Sequence, residues 1–154
     1  MSRSWERLNE ILIAVDGSAK SKKVVETGCD LAKSLSADIL LVCVGKMPEE
    51  VPEGLATFSK VERFPDAYAE YLQKLGTRIT DEMVKCVEKK GMKCKTVNPT
   101  GNPSKVILDL AKTNKAKMIV VGLTGLHGLN RVRSLGSVAR RIVENATCPV
   151  VVVS

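Results

Sequence analysis

Short, uniformly apolar runs, each set off by a stretch of helical period, constrain this chain more than any other feature. Ile11 to Val15 reads ILIAV, Ile39 to Val44 reads ILLVCV, Met118 to Val121 reads MIVV and Val150 to Val153 reads VVVV. A strand that is apolar on both sides has to be covered on both sides, as in a parallel sheet between two layers of helices. The intervening segments supply those helices. Val24, Gly28, Leu31 and Leu35 recur at helical spacing, as do Leu72, Leu75, Ile79, Met83 and Cys86. Val106, Ile107, Leu110 and Ala111 make a third such stripe, and Val138, Ala139, Ile142 and Val143 a fourth. Lys93 to Val97 is more polar and reads as a strand at a sheet edge. The order β-α-β-α-β-α-β-α-β, with right-handed crossovers, predicts an α/β fold. That fold is a five-stranded parallel doubly wound sheet, strand order 3-2-1-4-5, in three α/β/α layers of Rossmann-like type.

Local signals set the boundaries. Asp16-Gly17-Ser18 breaks the first strand and turns the chain into a helix over 18–35, with Ser18 or Ser21 as its cap. Residues 45–65, carrying Pro48, Pro52, Gly54 and Pro65, form a long connection, and a helix over 66–90 follows and stops at Gly91. Pro99-Thr100-Gly101 reads as a turn. Asn102 caps the next helix with Pro103 in its first position. The last helix runs over 136–145. The 154 residues suffice for one substantial core, so a single domain over 1–154 is expected.

Ligands of a doubly wound sheet sit beyond the carboxyl ends of the strands, where the strand order reverses. With the first and fourth strands as central neighbours, two loops meet there: Asp16-Gly17-Ser18, and the glycine-rich stretch from Gly122 to Ser137. In the second, Gly122, Gly125 and Gly128 fall at every third residue, and Gly136-Ser137 precedes Val138 at the helix start. Glycine lets backbone approach a ligand closely, and a helix N-terminus presents unpaired N–H groups to a phosphate. Arg131 and Arg133 lie between; each is either a phosphate donor or a solvated loop charge. Asp16 suits ribose hydroxyls or an amine rather than phosphate, the alternative being a turn former bonded to its own backbone. Ser137 is a phosphate ligand or a simple cap.

Composition removes several classes. The formal charge of +7 favours anionic partners, but one Trp, two Tyr and two Phe provide no stacking platform, so nucleic acid is not the expected partner. The five cysteines show neither CxxC nor zinc-like spacing. No apolar run approaches the ~20 residues of a membrane span, and the first residues lack the apolar core of a signal peptide, so a cytoplasmic protein is expected. No GxxxxGK[ST] occurs, and no nucleophile, base and orienting group can be assembled.

At these residues the chain resembles the universal stress protein family over nearly all of its length. The resemblance rests on Ile11 to Ser18, the second strand, Met118 to Gly122, the glycine loop and Cys148 to Val153. The family's ATP-binding branch carries G-x2-G-x9-G-[S/T], matched here by Gly122, Gly125, Gly136 and Ser137. Ten residues rather than nine separate Gly125 from Gly136, and Lys117 stands where the family often has an acid. The resemblance implies an ATP-binding regulatory protein, ATP coming with Mg and AMP or ADP as alternatives. Asp16, flanked by Gly17 and Ser18, would hold the adenosine and Val44 would contact adenine. Gly122, Gly125, Gly128, Arg131, Gly136, Ser137 and Val138 would surround ribose and phosphates. It also implies a homodimer through Val150 to Val153, a flat apolar edge of the kind that pairs with another chain, and a protein partner that reads the ligand state. Two rivals stand beside it: a dimeric adaptor that takes no nucleotide, and a slow ATPase or self-phosphorylating enzyme.

Overall fold

The computed structural model of the chain describes residues 9–47, 64–124 and 134–154. Its elements follow the expected alternation: β1 (Glu10–Val15), α1 (Ser21–Ser34), β2 (Asp38–Cys43), β3 (Gly45–Lys46), α2 (Phe64–Lys89), β4 (Cys94–Val97), β5 (Thr100–Gly101), α3 (Pro103–Thr113), β6 (Met118–Gly122), α4 (Ser137–Asn145) and β7 (Val150–Val153). The main sheet is wholly parallel, in the order β4-β2-β1-β6-β7. Setting aside the two dipeptide strands, this is the expected order 3-2-1-4-5.

Alternation along the strands divides the interior in two. Ile11, Ile13, Val15, Ile39, Leu41, Cys43 and Val120 face one side and pack on Val24, Val25, Cys29 and Ala32 of α1 and Val87 of α2. Leu12, Leu40, Val42, Ile119 and Val121 face the other and pack on Ile107 and Ala111 of α3 and Ala139 and Ile142 of α4. Ile11, Leu12, Ile13, Ile119 and Val120 are completely buried, as expected of central parallel strands. α1 lies very close to β1. A Cβ added at Gly28 would come 2.4 Å from Ile13 Cδ1, so only glycine allows this approach.

Several local readings change. Thr100–Gly101 is not a bare turn but a strand, pairing in parallel with Gly45–Lys46. With helix α2 beginning at Phe64, the connection expected over 45–65 is correspondingly shorter. Leu75 is 40% exposed and drops out of the α2 stripe; the buried positions there are Gly76, Thr80 and Val87. Gly91 ends α2 at a φ of +73°, the left-handed stop expected of it. Asn102 caps α3 as anticipated, its side chain accepting from the Lys105 amide at 3.3 Å ahead of Pro103.

Candidate functional site

β1 ends at Val15 and the backbone turns at once. Asp16 Oδ1 accepts from the Ser18 amide at 2.9 Å and from the Ser21 hydroxyl at 3.2 Å. The same hydroxyl oxygen accepts from the Gly17 amide at 3.2 Å and, at greater length, from the Asp16 amide at 3.4 Å. One buried oxygen thus closes the whole bend. Gly17 has a φ of +80°, and a Cβ there would approach Ile79 Cδ1 of α2 to 2.8 Å. Both facts reserve the position for glycine.

This geometry corrects the capping assignment. The N-cap of α1 is Lys20, not Ser18 or Ser21, and its side chain makes no capping bond. Ser18 lends only its backbone, the amide to Asp16 Oδ1 and the carbonyl to the Ser21 amide at 3.0 Å. Ser21 is the first helical residue, with its hydroxyl turned back into the bend. Asp16 is therefore a turn former through Oδ1, while its Oδ2 has no partner among the described residues. A free carboxylate oxygen at a strand end suits a hydroxyl donor.

The second loop leaves β6 beside it, since β1 and β6 are direct neighbours. The Leu123 amide donates to the Val153 carbonyl at 2.8 Å, and the Gly136 amide returns to the Leu123 carbonyl at 2.8 Å. Gly136 is the N-cap of α4, with no side-chain cap, and the first amide bonded within the helix is Arg140's, at 2.9 Å to Gly136. The Gly136 amide expected to face phosphate is thus already engaged. The amides of Ser137, Val138 and Ala139 have no acceptor among the described residues. They are the orphan donors of a helix start, carrying its positive partial charge. Gly125, Gly128 and Arg131 lie outside the described residues, as do His127 and Arg133.

A direct contact joins the two loops. Lys20 Nζ donates to Thr124 Oγ1 at 3.2 Å, crossing from the bend after β1 to the segment after β6. Neither residue was singled out from the sequence. The available signal was a lysine opening a helix whose first turn holds no acid.

Val44 is half-buried just past the end of β2, on the side of α3 and α4. The next residue is fixed, the Gly45 amide donating to the Pro99 carbonyl at 2.8 Å. Cys43 lies on the other side of the sheet, and burial, with a further contribution from Asp16, raises its thiol to about 11. That thiol is no nucleophile at neutral pH. Two hollows of the described surface lie away from this rim, one along α2 at Lys74, Thr77 and Arg78, the other between α3 and the start of β7 at Lys112, Ala146 and Cys148. Among the described residues no cluster of three His, Cys, Asp or Glu side chains can hold a metal, and no helix is long and apolar enough to cross a membrane.

A wholly parallel, doubly wound sheet with a bend and a glycine-bearing loop converging at its switch point defines a Rossmann-like α/β protein. The chain belongs to the universal stress protein family, whose model matches residues 8–154. It is 32% identical over 146 residues to universal stress protein YxiE of Bacillus subtilis, covering 94% of this chain and 98% of the relative. It is 34% identical over 152 residues to universal stress protein MJ0531 of Methanocaldococcus jannaschii, covering 98% and 85%. Among solved structures, universal stress protein UspA from Lactobacillus plantarum superposes with a TM-score of 0.76 at 24% identity, covering 96% of this chain and 99% of that one. The same fold appears in a universal stress protein in complex with cAMP (TM-score 0.69, 20% identity, 95% and 97% covered). It appears again in one from Archaeoglobus fulgidus in complex with dAMP (TM-score 0.63, 20% identity, 95% and 98% covered).

Proposed function

We propose that this chain binds an adenine nucleotide across the exits of β1 and β6 and acts as a nucleotide-dependent regulatory module of the stress response. The carrying observation is the Lys20–Thr124 bond, which brings the acidic bend and the start of the glycine loop onto one rim. Nucleotide-bound relatives of the same fold support the ligand class. In this reading Asp16 Oδ2 takes a ribose hydroxyl, Gly17 and Ser18 shape the bend, and Val44 lies against the base. Gly122 lets the chain pass close by, and the free amides of Ser137 and Val138 face phosphate. Gly125, Gly128 and Arg131 complete the cradle. ATP is the leading ligand, its Mg carried by the phosphates rather than by a cluster of side chains. ADP and AMP are the alternatives. The bound nucleotide supplies anionic charge at the rim, which a partner protein can read.

A melting experiment tests this. A ligand at a hundredfold excess over its dissociation constant stabilises the native state by ~2.7 kcal/mol, which for a chain of this size raises Tm by roughly 5–10 °C. No shift with millimolar ATP-Mg, ADP or AMP overturns the proposal and favours an adaptor that binds no nucleotide. The engaged Gly136 amide and the locally satisfied Asp16 Oδ1 are the observations on that rival's side. Phosphate release that scales with protein and vanishes in Gly125→Val would instead show a slow ATPase.

The proposed homodimer pairs through β7, an edge of the main sheet whose Val150, Val151 and Val152 stay half-buried. Elution as a monomer at working concentration in gel filtration would refute that assembly.

A further inference from the structure

Lys20 sits where its helix least wants it. N-cap positions select Ser, Thr, Asp or Asn, whose oxygens accept from the free amides that follow; an ammonium can accept nothing. A cation there also opposes the helix dipole. Lys22 and Lys23 follow in the same first turn, with no acid among them. Lys23 is held by the Ser154 carbonyl at 2.8 Å. Lys20 has no carboxylate partner: among the described residues the ion pairs are Lys74–Glu70 and Lys90–Asp30. Among the described residues its side chain bonds only a neutral group, the Thr124 hydroxyl. An exposed cation at a helix start, opposed to the dipole and bonded across the rim to a neutral hydroxyl, is placed to exchange that hydroxyl for an anion.

We infer that Lys20 reads how many phosphates the nucleotide carries. This rests on the proposal above that the rim binds an adenine nucleotide, and it assigns specificity within that site. With a monophosphate the ammonium keeps its bond to Thr124. With a di- or triphosphate it exchanges this neutral acceptor for an anionic oxygen, a shorter and stronger bond. The bend closed by Ser21 holds the lysine backbone still, so the exchange involves only the side chain.

The test compares dissociation constants of ATP and AMP, without and with Mg, for the wild type, Lys20→Gln, Lys20→Arg and Lys22→Gln. Lys22→Gln removes the same charge from an exposed neighbour without a bond across the rim. A charge-assisted bond lost corresponds to about a 10- to 100-fold loss in binding. Lys20→Gln is expected to lower the ATP-to-AMP affinity ratio by about tenfold or more, Lys20→Arg to keep most of it, and Lys22→Gln to change it less than about twofold. Equal weakening of both ligands by Lys20→Gln, an unchanged ratio, or the same fall in Lys22→Gln overturns the assignment while leaving nucleotide binding intact. A wild type that binds neither ligand overturns both proposals. Circular dichroism of each variant confirms the fold; should Lys20→Gln prove unfolded, Thr124→Val and the salt dependence of the wild-type ratio decide, because a direct ammonium–phosphate contact predicts that the ratio falls as salt rises.

Discussion

Removing one oxygen atom, in Ser21→Ala, tests the account of the acidic bend most directly. The side chain is 2% exposed, so its loss is not repaired freely by water. The substitution deletes the acceptor for the Gly17 amide at 3.2 Å and the donor to Asp16 Oδ1 at 3.2 Å, besides the longer Asp16 amide bond at 3.4 Å. A donor left unmatched in a partly buried place costs about 1–3 kcal/mol, and the 3.4 Å bond contributes little at that length. The expected loss is therefore about 1–3 kcal/mol, which in a chain of this size lowers Tm by roughly 3–10 °C. Urea unfolding of the variant, read at constant m-value, measures it directly. Ser18→Ala is the control, since only the backbone of Ser18 takes part in the bend, and it is expected to stay within about 0.5 kcal/mol of the parent. Equal stability of Ser21→Ala and the parent, or an equal loss in both variants, would refute the claim that this hydroxyl closes the bend. A second readout links the bend to the site. With the Asp16 carboxylate held by the Ser18 amide alone, nucleotide affinity should fall even at temperatures where the variant is fully folded.

Glu10 is 8% exposed, its Oε1 has no partner among the described residues, and burial raises its carboxyl above 4.5, with Lys95 opposing and the paired Asp38 assisting. The folded state therefore holds this proton more tightly than the unfolded chain, so stability is lost as pH rises from 4.5 through the raised value; Glu10→Gln should flatten that loss and raise Tm at pH 7, and a variant with the parental pH profile would exclude it. Gly28→Ala should lose about 1–3 kcal/mol through collision with Ile13, and Ile13→Val in the same chain should recover part of it; strictly additive unfolding energies would argue against the contact. Cys29 and Cys43, both with thiols near 11, should escape alkylation by iodoacetamide at pH 8 in mass spectrometry until urea unfolds the chain.

The strand runs, the sheet order, the Asn102 cap and the Gly91 stop were legible because each rests on a strong local preference: burial on two faces, a side-chain acceptor, a left-handed φ. Asp16 and the β6 loop were placed together by topology alone, which follows from strand order. What escaped depends on contacts between distant segments. Thr100–Gly101 looks like a turn until Gly45–Lys46 arrives to pair with it. Ser18 and Ser21 are equivalent as caps in one dimension, and only the folded bend shows that the second turns inward while a lysine takes the cap. The engaged Gly136 amide was hidden for a like reason, since its acceptor, the Leu123 carbonyl, lies thirteen positions earlier.

The sheet is one residue thick, and the side chains of β1 alternate between two interiors that share little but peptide backbone. Damage on one side should therefore not propagate to the other: a void opened beneath α1, as in Val25→Ala, and one beneath α4, as in Ile142→Val, should add arithmetically. Either helical coat can then be repacked while the strand ends keep their spacing and the rim its shape.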